Sequence, residues 1–363
     1  MSFTSFGVND PMAQKTWSKK LAVEANKALD VDPLIGEGDG SIIQKKTELS
    51  KGNGDKITFA LRMQLNGDGF TSSDVAEGNG EQLGTNSDSI TIDELGHVVG
   101  VKSKNTIDAQ RVPFDMREQA RSGLADWFML RKAVTVFNHL CGATPINFRP
   151  NALKYSGNNA ITAPSAGRII RANGKTAGNL VQADFMTLGM IDAMVEVAKT
   201  GGSAGLVSMR PVVIDGGKYF VLYLHSTQVT SLRTNTSAGQ WLDIQKAAMA
   251  GMQSSKSPIF SGALGMYNGV ILRESQQVTQ GVSADGKSFV PNTRRAVLLG
   301  AQAATIAYGK AGGDTTYRWN EELYDHKRNL EVSAWSIWGV KKTSFNGADF
   351  SCIVAETYAA DAA

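Results

Sequence analysis

Residues 56–65 read KITFALRMQL, and the alternation in that stretch decides what kind of fold the chain needs. Ile57, Phe59, Leu61, Met63 and Leu65 share one face of an extended strand, while Lys56, Thr58, Arg62 and Gln64 take the other, a period of two. A second run, Ile90 to Val101, alternates less cleanly. Between them, Asn66 to Ser89 is rich in Gly, Asn, Asp and Ser, with too few apolar residues to fill a core. The pattern predicts a hairpin that reaches outward. An isolated two-stranded hairpin is marginal in water, so the aligned apolar side chains need a cover. Buried, each contributes roughly 1.5–3 kcal/mol, with an upper bound near ~10 kcal/mol for the set. Either the chain's own body or another copy of it could supply that cover.

Working outward, 363 residues at 42% hydrophobic and 20% charged suffice for two packed cores of an ordinary globular protein. The longest apolar runs, such as Tyr219 to Leu224, fall far short of the ~20 residues of a membrane helix. Met1 to Asp10 lacks the basic start and apolar run of a signal peptide, so the chain is expected to be cytoplasmic when made, with no membrane partner. Cys141 and Cys352 have neither disulfide-framework nor metal-ligand spacing and read as buried small hydrophobes. A net charge of +3 is too small to announce a nucleic-acid binder, and the basic pairs at Lys19-Lys20, Lys45-Lys46, Arg131-Lys132, Arg294-Arg295 and Lys341-Lys342 are scattered.

Composition shifts divide the chain. Residues 1–50 carry one short helical pattern (Trp17, Leu21, Ala25, Leu29) and then Gly36 to Gly40, which reads as an arm. The hairpin occupies 51–108. After Pro113, suited to a first helical turn, Met116, Ala120, Leu124, Trp127 or Phe128, Val134 and Phe137 predict a helix over 113–140. Asp115 and Glu118 at its start, and Arg131, Lys132 and His139 toward its end, match the helix dipole; Gly142 and Pro145 stop it. Further helices are predicted at Asp184 to Lys199, with Asp184 as cap, and at Gln240 to Met252. Val212 to Ile214 and Tyr219 to Leu224 read as a hairpin, strands follow near 269–273 and 296–300, and 330–358 returns to strand character. The class is α+β with segregated elements.

Signs of catalysis are sparse. His97, His139, His225 and His326 have no partner at metal-binding spacing, and no nucleophile elbow occurs, so no catalytic, metal or cofactor residue is assigned. Thr200 to Gly205 is glycine-rich but follows a helix and lacks the Lys-Ser/Thr pair of a phosphate loop, so it reads as a hinge. Glu77, Glu81, Asp93 and Glu94 could form an acid/base pair only if a pocket perturbed them.

Several blocks in order do carry a resemblance. Leu61 to Leu65, Glu77-Gly78-Asn79 with Glu81, Asp88-Ser89 with Ile92-Asp93, Gln110 to Phe114, Arg117-Glu118, Ala120-Arg121 and Leu124 to Trp127 resemble the major capsid proteins of tailed bacteriophages of the N-four type. The likeness resumes at Arg295-Ala296, Leu299 to Ala303, Trp338 to Lys342, Phe345 to Gly347 and Asp349-Phe350. It implies the α+β capsid fold shared by tailed phages and herpesviruses: an N-terminal arm (1–50), an extended loop (51–108), a peripheral domain (109–205) with a spine helix (113–140), an axial domain (206–325), and C-terminal strands (326–363) that return to the peripheral domain.

The implied job is self-assembly through hexamers and pentamers into an icosahedral virion shell around double-stranded DNA. Implied partners are the chain's own copies, a separate scaffolding protein, a portal and a decoration protein, together with non-specific contact to the packaged DNA. A neighbour would then cover Ile57, Phe59, Leu61, Met63 and Leu65, with Arg62, Glu77, Glu81, Arg111, Arg117 and Arg121 as polar members of the contacts. Two rival readings are a two-carboxylate hydrolase and a phage decoration or carbohydrate-binding module.

Overall fold

Asp115 caps the start of the long helix. Its side chain accepts from the Arg117 N–H at 3.0 Å, and the helix runs Met116–Cys141. Gly142 ends it in the left-handed region (φ 64°), donating back to Asn138 and His139 carbonyls. A Cβ there would lie 2.6 Å from Pro164 and 2.8 Å from the Thr162 carbonyl, so only glycine fits. The structure is a computed structural model that describes residues 32–360 except 52, 63–64, 66, 84, 105, 112–114, 146–155, 203–205, 215, 236–262 and 311–315. The predicted helix at Gln240 to Met252, the helical pattern at Trp17 to Leu29, Met63 and Pro113 therefore lie outside the described residues.

Two sheets flank the long helix. The first joins β1 (Ile35–Gly36), β2 (Ile43–Lys46), β14 (Ala304–Tyr308), β15 (Tyr317–Tyr324), β16 (Asn329–Lys342) and β5 (Asp93–Lys102). Its spine is the fourteen-residue β16, in which Leu330, Val332, Ala334, Trp338 and Val340 alternate inward. The stretch Asn329–Ser336 has β15 on one edge and β5 on the other, and Trp338–Lys342 carries β14. The second sheet runs β6 (Ile169–Arg171), β19 (Cys352–Tyr358), β13 (Thr293–Leu299), β8 (Gly217–Leu224), β10 (Val270–Glu274) and β9 (Gly265–Tyr267), with β7 (Val212–Ile214) also on β8. Helices Leu188–Thr200 and Ser226–Asn235 bury one face of that sheet through Ile191, Met194, Val195, Val229 and Leu232. Its other face meets Val136, Phe137 and Leu140 of the long helix, together with Ile306, Trp338 and Val340 of the first sheet. Ala120, Leu124 and Phe128, nearer the helix start, pack instead on Tyr317, Trp319 and Val332. One helix thus serves two cores, and Cys141 and Cys352 are free and buried in the core against the second sheet.

Several sequence expectations change. The run Ile90 to Val101 is two strands, β4 (Thr85–Thr91) and β5, broken at Ile92, whose N–H turns to the Asp55 carbonyl at 2.8 Å. Asn159 clamps the break by bonding both N–H and C=O of Thr91. β4 pairs with β3 (Lys56–Arg62) in the outward ribbon, whereas β5 pairs with β16 in the first sheet. Residues 35–46 add two strands to the first sheet. The proposed boundary at 325/326 falls in the turn Asp325–Arg328 joining β15 to β16, and the C-terminal β19 sits inside the second sheet, beside β13. Thr187, not Asp184, caps the helix Leu188–Thr200, accepting from Met190 N–H at 3.3 Å. Asp184 takes Lys175 Nζ at 2.6 Å and Val181 N–H at 2.9 Å instead.

Lys132 gives the long helix an unusual interior. It is 1% exposed, donates to the Tyr308 hydroxyl at 3.1 Å, and lies 5.0 Å and 4.9 Å from the ring centres of Tyr308 and Tyr317. Burial pulls its pKa down to about 7, against the opposing pull of the Asp32 carboxylate. Between pH 7 and the free-lysine value the unfolded chain holds the extra proton, so stability rises with pH across that window by a few kcal/mol. Lys132→Met is expected to stabilise the subunit by roughly 1–3 kcal/mol at pH 6 and to flatten that rise. Urea midpoints at pH 6 and pH 9 measure both effects.

Candidate assembly interface

β3 and β4 pair in register from Lys56 opposite Thr91 to Arg62 opposite Thr85, and residues 63–84 emerge from the far end. The ribbon is pinned midway along its length, where Asp88 stands opposite Phe59. Asp88 is buried, ion-paired with Lys341, and accepts the Ser344 N–H at 3.1 Å, while Lys341 Nζ also reaches the Ser89 carbonyl at 3.1 Å.

The chain's own body covers much of the apolar face expected to await a neighbour. Ile57 and Phe59 pack on Leu49, Ile90, Ile92, Ala307 and Ile337, and the Phe59 ring meets Phe345 edge-on at 6.1 Å. Leu61 is half-buried, and only Leu65 of the described set stands clear, at 56% exposure. The uncovered apolar surface lies farther out. Phe70, Val75 and Leu83 are 52%, 69% and 55% exposed on a loop whose residues 67–83 are all exposed. That loop is held by local polar bonds: Thr71 N–H and hydroxyl donate to Asp74, Asn79 donates to the Val75 carbonyl, and Gly67 N–H donates to Glu81. The bonds from Thr71 hold the Asp74 carboxyl below its ordinary range. With Asp68, Asp74, Glu77 and Glu81 and no Lys or Arg over 67–83, the tip is acidic as well as greasy.

The polar residues singled out in the sequence separate into two groups. Glu77 and Glu81 are exposed on the loop, Arg62 stands opposite Thr85 at the ribbon's end, and Arg111 is exposed beside Asp108 at 3.3 Å. Arg117 and Arg121 are engaged within the subunit. Arg117 pairs within the chain with the buried Glu321 at 2.7 Å, and Arg121 is 5% exposed beside Glu118 at 3.3 Å. Pairs so engaged help to hold the subunit together. Phe70, Val75 and Leu83 escaped the sequence reading because each is a lone apolar residue in a polar run.

No acid/base constellation forms from the other carboxylates. Asp93 and Glu94 are exposed on β5, and Glu94 pairs with Arg318 at 3.2 Å, away from the exposed loop that carries Glu77 and Glu81. Among the described residues no three metal-binding side chains gather, and no helix is long and apolar enough to cross a membrane.

The phage capsid protein family matches residues 5–361, nearly the whole chain. The chain belongs to that family. This capsid protein is 23% identical over 368 aligned positions to the major capsid protein of Pseudomonas phage KPP25, covering 95% of this chain and 93% of that one. It superposes on the capsid of Ralstonia phage GP4 with a TM-score of 0.82 at 32% identity, covering all of both chains. The capsid asymmetric unit of cyanophage Pam1 follows the same fold, with a TM-score of 0.67 at 22% identity over 92% of each chain. The fold is that of the tailed-phage capsids, and the protein is a structural component of a phage shell. These matches give no support to a hydrolase or a carbohydrate-binding module.

Proposed function

We propose that the capsid protein closes into an icosahedral shell through hexamers and pentamers and encloses double-stranded DNA. The observation that carries this reading is the acidic, apolar loop at 67–83, projecting from a pinned ribbon with nothing among the described residues over it. Exposed apolar side chains on a polar loop mark a surface that another molecule covers, and many modest contacts summed around a closed assembly give a stability that no single pair supplies. In this arrangement the seven-stranded sheet and its two helices take the axial position, and the long helix with β5, β15 and β16 takes the peripheral one. Assembly takes place in the host cytoplasm with a separate scaffolding protein, a portal and a decoration protein as partners. Lumen-facing Lys and Arg touch DNA through phosphates, a contact that weakens with salt and ignores sequence.

The test is size-exclusion chromatography with negative-stain microscopy of the purified chain, alone and with scaffold. Closed particles of uniform diameter are expected with scaffold. A chain that stays monomeric under every assembly condition overturns the reading.

A further inference from the structure

Where the ribbon gives way to its loop, a cavity of about 260 Å³ opens between Leu61 and Asn86 of the ribbon, Phe345 and Phe350 of the body, and Val207 with Arg168. Arg168 is 1% exposed. Its Nη2 donates to the Val207 carbonyl, but within the described residues Nε and Nη1 find no hydrogen-bond partner. Asp349, also in the wall, is already committed to Lys342 at 2.9 Å and to the Ser165 N–H at 3.0 Å. A buried guanidinium with idle donors is costly, and an incoming carboxylate is the group that best relieves it.

The complement sits on the same chain, beyond its own use. The loop carries four carboxylates and no cation, and since 67–83 is exposed throughout, it does not fill the cavity of its own subunit. Asp74 and Glu81 are occupied by Thr71 and Gly67, which leaves Asp68 and Glu77; of these Glu77 lies two positions from Val75, the most exposed large apolar side chain described.

We propose that in the shell Val75 and Glu77 of one subunit enter this cavity in the next, the valine against Leu61, Phe345 and Phe350 and the carboxylate on Arg168. The proposal rests on the shell-forming reading above. Donor and acceptor are different surfaces, so the contact is head-to-tail, the kind that builds a ring when its rotation closes.

A cysteine pair tests it. Val75 and Val207 are both exposed, at 69% and 48%, and the native Cys141 and Cys352 are buried. Particles assembled from the double variant Val75→Cys, Val207→Cys and then oxidised are expected to run as a ladder of covalent multimers on a non-reducing gel. Uncrosslinked chains, or chains crosslinked only to themselves, from well-formed particles overturn the docking while leaving the shell intact. Failure of the unaltered chain to assemble with its scaffold overturns the shell reading, and the docking with it. If the cysteine pair itself blocks assembly, charge reversal decides. Glu77→Lys is expected to raise the concentration needed for assembly about tenfold or more, with Asp68→Lys much milder. Equal effects of the two overturn the assignment of Glu77.

Discussion

A chain in which residues 63–84 are replaced by Asn-Gly is expected to remain a folded subunit and to form no shells. The design follows from register. Arg62 and Thr85 are the last paired residues of the ribbon, so a two-residue turn of the twisted-hairpin kind closes it without moving either strand. A cut made from composition alone, Asn66 to Ser89, removes part of β4 and with it Asp88, which pairs with Lys341 and accepts Ser344 N–H, and so confuses assembly with folding. The described residues removed, Leu65 and 67–83, are all exposed, so none of them belongs to the core, and the shortened chain gains on the order of 1–2 kcal/mol from closing a shorter loop. Circular dichroism and a urea midpoint at or above that of the parent report the fold; negative-stain microscopy with scaffold reports assembly. Uniform shells from the shortened chain sink the idea that this loop joins subunits. A lower urea midpoint says instead that the loop braces its own body.

What the sequence made legible and what it hid follow one physical rule. Elements whose own residues satisfy a period were readable: the long helix, with Ala120, Leu124, Phe128 and Phe137 on one stripe, and β16, with its inward alternation from Leu330 to Trp338. Features set by a distant partner were not. Alternation runs through Ile90 and Ile92 without interruption, and the break there is made by Asp55 and Asn159. The helix Ser226–Asn235 has only Val229 and Leu232 to bury, and its Ser and Thr hydroxyls bond back to carbonyls four residues earlier, so it lacks an apolar stripe. In the interface the need for cover over Ile57 and Phe59 was visible, but not that Phe345, far along the chain, would supply part of it. Arg121 carried an available signal. It stands four and seven residues before the buried Ala125 and Phe128, on the stripe itself, where an arginine is taken up inside the subunit.

Glu356→Gln is expected to destabilise the subunit by about 3–5 kcal/mol, above the effect of most single substitutions. Glu356 lies in β19 directly opposite Arg295 of β13 on one side and Arg171 of β6 on the other, so three side chains line up across three strands. The carboxylate is fully buried, takes Arg295 Nε at 2.6 Å, and is ion-paired with Arg171. Arg295 continues the chain of contacts. Its Nη1 donates to the carbonyls of Cys141 and Gly142 at 3.0 Å and 2.8 Å, placing a cation on the C-terminal end of the long helix, where the helix dipole favours one. Neutralising Glu356 leaves two guanidinium groups, one of them 4% exposed, facing a neutral amide with no counter-charge. Removing both members of the central pair, Arg295→Met with Glu356→Met, leaves no orphaned buried charge on them and is expected to cost less than the two single losses added together. A urea-unfolding double-mutant cycle on the unassembled subunit measures this coupling. Strict additivity, or a loss under about 1 kcal/mol for Glu356→Gln, refutes the view that this buried triad fastens the end of the long helix to the seven-stranded sheet.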